Sequence, residues 1–529
     1  MGPVSSSEEL SSDISCVRGG RQGAKSTTRR HFQDFEFTAH SAHSLRHGMT
    51  SSAATERRLE TLLKQLNGCA CSCNKQGAAP LVRVCTSAAT ATTHQPFPKY
   101  DPEEAQKYIN DYPSIDPDLA LRCYTSRLIG SRSDLVLHGG GNTSVKLTVQ
   151  NCVGESIQVL GVKGSGYNLD SIVPKGFPLV DLNHLNKLLN LPALSDVQMV
   201  NELRTHLQDN ESPNPSVETL LHALLPAKFV DHSHADAIVA LADLGDQSET
   251  ILREAFAGSG IELGIVPYAK PGIDLSLVCT RMYRANPNID AIILLQHGLV
   301  TWGNTAKESY EMHIKCVEIA LQFIHSKVQQ RTGPLLIPNA TAMAGAATNN
   351  QRRLVLVLIR GVLSNLEQQH NQQHNTSHKN HRWIVKHRPN QLVLDFCNSK
   401  QLATWSQIGT ITPDHVIRTK GLPCVLDVDL FGSVHNDTAA VRQKIKASIQ
   451  HYVAQYHQYF QRNNDRVGGK MIELDPFPRI FLVPGLGLLT AGRSTKECNI
   501  SADIYVQTVP VILNCYTLID RYVPVPEER

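Results

Sequence analysis

The sequence predicts an α/β protein built from two modules, and three stretches carry that prediction. Ile289–Gly303, IDAIILLQHGLVTWG, is a buried strand that reverses at a glycine into a second strand, and the helical run NTAKESYEMHIKCVEIALQFI follows it. Pro215–Asp236, PSVETLLHALLPAKFVDHSHAD, begins as a short helix and ends as an extended segment. Pro478–Ile512 then repeats the strand, turn, strand, helix order of the first stretch.

At 529 residues the chain exceeds one ordinary core, so two or three domains are expected. An apolar fraction of 41% and a charged fraction of 19% describe a globular protein. A net charge of +3 is too small to imply a nucleic-acid or membrane partner. No uninterrupted apolar run reaches the roughly 18 to 20 residues of a membrane helix. The 13 cysteines are odd in number and irregularly spaced, and Cys279, Cys316 and Cys515 lie in apolar settings. That favours reduced, buried thiols in a cytoplasmic protein over a secreted disulfide framework.

Residues 1–98 are rich in Ser, Thr, Arg, Gly and Ala, with little periodicity. They are expected to be a disordered or organelle-targeting segment. Glu8, Glu9, Asp13, Asp34 and Glu36 depart from the acid-poor pattern of targeting leaders. Cys69, Cys71 and Cys73 form a C-x-C-x-C cluster of the kind that binds soft metals, but no second pair follows and Cys85 stands alone. Coincidence is the simpler account.

A catalytic module is expected over 99–335. Asp116–Leu128 has helical spacing, and Leu135–Leu147, LVLHGGGNTSVKL, is predicted as strand, glycine turn, strand. Gly139–Gly141 allow close backbone approach to a ligand, and Asn142, Thr143 and Ser144 add neutral donors suited to phosphate or hydroxyl. The pattern is neither a dinucleotide fingerprint nor a Walker loop. A second turn, VKGSGYNLDSI (Val162–Ile172), offers Lys163, Ser165 and the amide of Gly166 as the other wall of an anion pocket. Ser216 precedes the short helix, where hydroxyls and amides also suit phosphate.

His232 and His234 are two apart in an extended segment, so they project to one face and can share a metal ion. Glu218 opens the helix upstream. Taken alone, these would equally be two hydrogen-bonded strand histidines and a first-turn carboxylate. His297, at the lip of a buried strand beside Gly298, is the candidate third ligand. IVALADL after Asp236 is expected as a core helix, whereas Leu263–Thr280 alternates turn residues with short apolar runs.

Together GGGNTSVKL, VKGSG, SVETLLHALLP, VDHSHADAI and LLQHGLVTWGNTAKESYE, in this order, resemble the class II aldolase/adducin family. The likeness extends over about 105–529 and is strongest to the aldolase half of bifunctional rhamnulose-1-phosphate aldolase/alcohol dehydrogenases. It implies a three-layer α/β/α domain around a mixed sheet, followed by a smaller α/β module. It also implies Zn2+ held by His232, His234 and His297, Glu218 as acid/base, and Asn142, Ser165, Gly166 and Ser216 as the phosphate site. Val217 stands where smaller relatives have a second phosphate-binding serine. The implied reaction is a lyase cleavage of a ketose 1-phosphate, with L-rhamnulose 1-phosphate foremost, to dihydroxyacetone phosphate and L-lactaldehyde. A sugar-phosphate epimerase or dehydratase at the same centre, and a non-catalytic adducin-like scaffold, are the alternatives. Relatives form cyclic tetramers, which leaves a homo-oligomer open. The bifunctional relatives continue into a nucleotide-binding domain where this sequence ends at VPVPEER, so NAD is not expected.

Residues 336–384 are expected as a linker with a Gln/Asn/His-rich insertion, Gln368–His381, whose His370, His374, His378 and His381 are read as solvated. Residues 385–529 form the second module, beginning with the strand-like RWIVKHRP. Aligned on the first module, Thr490, Gly492, Lys496 and Glu497 fall on Thr301, Gly303, Lys307 and Glu308, and Leu486 takes the place of His297. TPDHVIRTK (Thr412–Lys420) similarly echoes VDHSHAD, keeping His415 and replacing the second histidine by Ile417. The expectation is a degenerate second copy without its metal site, with shared strand–hairpin–helix geometry as the alternative. Arg418 and Lys420 are expected as surface charges.

Overall fold

Aspartate–proline pairs start the first two helices. Asp101 and Asp116 accept hydrogen bonds from the first-turn amides of α1 (Pro102–Asp111) and α2 (Pro117–Gly130), whose first residues are prolines. The computed structural model describes residues 95–340, 342, 347–373, 382–426 and 437–527. Cys69, Cys71, Cys73, Cys85, His374, His378, His381 and nearly all of 1–98 lie outside these.

The first module continues with β1 (Asn142–Gln150), β2 (Ser156–Val162), β3 (Leu179–Asp181), α3 (Leu182–Leu188), α4 (Asp196–Thr205), α5 (Thr219–Leu224), β4 (Phe229–Ser233) and α6 (Asp236–Ala242). It ends with α7 (Ser248–Ala255), β5 (Leu263–Val266), α8 (Ile273–Ala285), β6 (Ala291–Leu294), β7 (Gly298–Gly303) and α9 (Ala306–Gln330). Its strands form one seven-stranded sheet ordered β3-β2-β1-β4-β7-β6-β5, antiparallel except where β5 runs parallel to β6. Alternate residues face opposite helix layers. Ala291, Ile293 and Leu299 pack with α2, α6 and α9, while Ile292, Leu294 and Val300 pack with α5 and α8. The expected three-layer α/β/α arrangement around a mixed sheet is therefore present.

The second module comprises α10 (Asn349–Gln373), β8 (Ile384–Arg388), α11 (Gln391–Cys397), α12 (Leu402–Trp405), α13 (Pro413–Thr419), β9 (Cys424–Val425), α14 (Thr438–Arg466), β10 (Ile480–Val483), β11 (Gly487–Gly492) and α15 (Thr495–Ile519). Its four-stranded sheet has the order β8-β11-β10-β9. Phe481, Val483 and Leu489 face α10 and α14, and Ile480, Leu482 and Leu488 face α11 and α15. α15 is long and apolar enough, by length and composition, to cross a membrane. Here its faces are divided between two cores: Tyr505, Val509 and Leu513 in the second module, Val511, Ile512 and Cys515 against the first.

Several expectations change. Leu135–Leu137 are not a strand: the Leu135 and Val136 amides turn back to the Arg132 carbonyl, and the chain turns again at His138, Gly139 and Gly141, which take positive φ. The stretch around 263–280 holds β5 and most of α8. Much of the expected linker is α10, whose Val355, Leu358, Ile359 and Val362 have helical spacing and are buried. TPDHVIRTK is a helix, α13, not a strand. Lys420 is buried, its ammonium over the ring of Tyr456 and donating to the Asp475 carbonyl.

Candidate active site

Four elements bring the predicted residues together. His232 lies on β4 and His234 one residue past its end, His297 sits in the β6–β7 turn, and Glu218 occupies the cap position of α5. All four are buried. Two glycines make the approach possible. A Cβ on Gly298 would lie 2.2 Å from the Ser233 carbonyl oxygen, and one on Gly141 would lie 2.6 Å from that of His232.

The three imidazoles form a nearly regular triangle, with ring centroids 4.9, 4.9 and 5.0 Å apart. Nε2 of His232 is 3.1 Å from Nε2 of His234. Nδ1 of His232 donates to the Leu299 carbonyl at 3.0 Å, which leaves the Nε2 lone pair directed at the centre of the group. Burial, with His232 and His297 close by, holds His234 well below the usual imidazole range, so it too offers a neutral nitrogen. Glu218 reaches in from one side, Oε2 at 3.5 Å from His232 and Oε1 at 3.3 Å from His297. Oε1 is buried and accepts no hydrogen bond. Three imidazoles with ligand atoms within 4.8 Å of one another, beside such a carboxylate oxygen, fit a divalent ion. Tetrahedral zinc with bonds of about 2.1 Å separates its nitrogens by about 3.4 Å.

Glu218 is held by a relay that the sequence reading missed. Asn142 donates from Nδ2 to Glu218 Oε2 at 2.6 Å and to Ser216 Oγ at 3.2 Å. Its Oδ1 accepts from Nε2 of His222, whose Nδ1 meets Ser144 Oγ at 2.8 Å. Burial pushes His222 down to about 3, so it is neutral and fixes the Asn142 amide by its tautomer. Burial raises the proton affinity of Glu218, but His232, His234, the Asn142 hydrogen bond and His222 outweigh it and hold the carboxyl below its usual range. The available signal was spacing: His222 lies one helical turn after Glu218.

The opposite face of β4 is equally built. Asp231 and Arg122 are fully buried and paired at 2.5 Å, and Ser309 Oγ donates to Asp231 at 2.5 Å. His313 lies between Thr301 Oγ1 at 2.8 Å and Ser233 Oγ at 2.6 Å. These groups lock the strand from behind.

The residues predicted for phosphate converge at one corner. The Ser165 amide donates to the Asn214 carbonyl at 2.7 Å, and the Ser216 amide to the Lys163 carbonyl at 3.2 Å. Gly166 takes φ +89° at the exposed tip of this turn. Lys163 Nζ donates to the Gly139 carbonyl at 2.7 Å and so ties the two glycine turns together.

Residues 120–324 match the family model for the class II aldolase and adducin N-terminal domain, and residues 350–529 match that for the second domain of class II aldolases. The chain is 31% identical over 412 residues to the uncharacterized oxidoreductase YuxG of Bacillus subtilis strain 168, covering 77% of this chain and 55% of that protein. It thus spans just over half the length of that curated relative. Among solved structures, the N-terminal class II aldolase domain of a conserved Thermoplasma acidophilum protein is 41% identical, with 40% of this chain and 95% of that one covered and a TM-score of 0.37. L-fuculose-1-phosphate aldolase of Thermus thermophilus is 17% identical, with 41% and 98% covered and a TM-score of 0.26. The two family models, matched in order along one chain, establish that this protein belongs to the class II aldolase family.

Proposed function

We propose that the chain is a metal-dependent aldolase that cleaves a ketose 1-phosphate, with Zn2+ as the ion and L-rhamnulose 1-phosphate as the substrate to test first. The products would be dihydroxyacetone phosphate and L-lactaldehyde. The observation that carries this reading is Glu218 Oε1, buried without a hydrogen bond and 3.3 Å from His297 beside the imidazole triangle. A carboxylate kept ionised inside a buried group is suited to moving a proton.

His232, His234 and His297 would hold the ion. When bound, it would supply Lewis-acid stabilisation of the negative charge that develops on substrate oxygen as the carbon–carbon bond breaks. Glu218 would carry the proton to and from the carbon beside the substrate carbonyl. Asn142, oriented by His222, keeps Glu218 Oε2 occupied and leaves Oε1 as the working oxygen. Ser165, Gly166 and Ser216 would receive the phosphate, with Asn142 holding the Ser216 hydroxyl, away from the reacting carbons, where binding supplies positioning. Buried thiols at Cys123, Cys279, Cys316 and Cys397 support a cytoplasmic setting.

Metal analysis of the purified protein, coupled to an assay for released dihydroxyacetone phosphate over a panel of ketose 1-phosphates, tests this. Glu218→Gln is expected to retain the metal and lose turnover. Unchanged turnover in that variant removes the assignment, and substrate conversion without triose release favours an epimerase or dehydratase.

A further inference from the structure

The first module's anion corner is short of free positive charge and free donors. Lys163 directs its ammonium to the Gly139 carbonyl, and both amide hydrogens of Asn142 are committed to Ser216 and Glu218. The exposed side chain of Val217 offers no hydroxyl. A phosphate carries between one and two negative charges near neutrality, and such sites ordinarily provide a cation for it.

The second module reaches this corner. His138, which leads into Gly139–Gly141, sits at φ 41°, a conformation that costs a non-glycine residue energy unless something holds it. Its Nε2 is 2.8 Å from Oδ2 of Asp503 on α15, and Asp503 is in turn paired with Arg388 at the end of β8. Two residues before Asp503, Ser501 Oγ donates to the Arg418 carbonyl at 3.3 Å, which sets the end of α13 beside the same group. One turn further along α15, Gln507 Nε2 donates to Asp236 at 2.5 Å and to the Ser133 carbonyl at 3.1 Å. The docking of α15 on this edge of the first module is therefore held at several points. Arg418 is exposed and has no carboxylate partner among the described residues. It lies close enough to His138 that, after burial, its charge is the largest influence lowering that imidazole's proton affinity, ahead of Arg388 and Lys496.

We propose that the second module completes the anion pocket: Arg418 supplies a cation for the substrate phosphate, and Asp503 is a positioning residue that holds His138 and the glycine turn. The proposal rests on the reading of Ser165, Gly166 and Ser216, backed by Asn142, as a phosphate corner. It gives a functional reason why the two modules are joined. The side chain that recognises the anion is carried by one, and the reacting groups by the other.

The test is calorimetric titration of the full-length, metal-loaded protein with inorganic phosphate, at low and high salt. Arg418→Ala is expected to weaken phosphate binding about tenfold, with the loss shrinking at high salt, and Arg418→Lys to recover most of it. Asp503→Ala is expected to weaken it comparably, and Asp503→Asn, which keeps an acceptor for His138, to recover part. Arg521→Ala breaks an exposed contact between the modules, Arg521 with Asp246, and is expected to bind phosphate as wild type does. In turnover, Arg418→Ala should raise KM for the phosphorylated substrate more than it lowers kcat. Arg418 is exposed, so its variants test the idea even where Asp503→Ala misfolds. Wild-type affinity in Arg418→Ala overturns the proposal. A wild-type protein that binds no phosphate overturns the phosphate corner and this proposal together.

Discussion

The four strands β4-β7-β6-β5 of the first module and β8-β11-β10-β9 of the second are laid out alike. Each set has one parallel pair, β5 with β6 and β9 with β10, and the remaining pairs are antiparallel. β6, β7 and α9 span Ala291–Leu294, Gly298–Gly303 and Ala306–Gln330, and β10, β11 and α15 span Ile480–Val483, Gly487–Gly492 and Thr495–Ile519, matching residue for residue. α6 and α11 match in the same way, α6 following β4 and α11 following β8. His232 pairs with Val300, and His387 pairs with Leu489 at the corresponding place. Thus His232 corresponds to His387, His234 to Pro389, His297 to Leu486, Asp231 to Lys386 and His313 to Ala502. In the second module His387 Nε2 donates to the backbone oxygen of Leu486, at 3.1 Å. The scaffold persists without the site, so the chemistry resides in a few side chains and not in the strand arrangement.

This correspondence can be broken at graded cost. The largest effect is expected at the metal. His232→Ala should abolish both stoichiometric metal and turnover, whereas His387→Ala should leave both unchanged; metal analysis beside the aldolase assay decides. Next is the charge behind the strand. Arg122→Ala strands a buried Asp231 and should cost about 3–5 kcal/mol in denaturant unfolding. Lys386→Ala, which loses an exposed bond to Asn499, should stay within about 0.5 kcal/mol. Acid should act through the buried histidines. Burial lowers His222 to about 3 and His313 to about 4, while an unfolded imidazole titrates near 6.5. As pH falls through that window the unfolded chain takes up protons first, so stability declines by up to about 1.4 kcal/mol per pH unit for each histidine. His313→Asn should flatten the slope measured in metal-free protein between pH 6 and 5 by one proton's share.

Much of this was legible because the informative segments are short and self-contained. The H-x-H strand, the hairpin bearing His297 and the echo at Pro478–Ile512 each announce themselves by local pattern. The threonine or serine caps with glutamate three residues on, Thr305 with Glu308 and Ser494 with Glu497, start α9 and α15 alike. What failed was pairing. TPDHVIRTK shares letters with VDHSHAD but is helical, and the true counterpart, WIVKHRP, shares little beyond its histidine. Only strand register, set by hydrogen bonds across the sheet, identifies it. Similarly α10 was hidden because the Gln/Asn/His-rich tail at its end outweighed the apolar spacing before it. Lys420 is buried by Tyr456 and Asp475, distant in sequence within its own module, and Asp503 meets His138 across the two modules; no local window contains either contact.

The finest test concerns one hydroxyl present in both copies. Thr301 and Thr490 occupy the same position on β7 and β11, and both are fully buried. Thr301 Oγ1 serves Nδ1 of His313, whose other nitrogen is engaged by Ser233. Replacing it with valine leaves an imidazole nitrogen buried and unserved, which should cost about 1–3 kcal/mol. In the second copy alanine stands at the histidine position, and the buried Thr490 hydroxyl has no hydrogen-bond partner among the described residues. Thr490→Val should therefore be near neutral, within about 0.5 kcal/mol, in the same unfolding experiment. Equal losses at the two positions would mean that the threonine serves the shared strand geometry. A loss confined to Thr301 would show that the polar group behind β4 belongs, with the metal ligands in front of it, to one site.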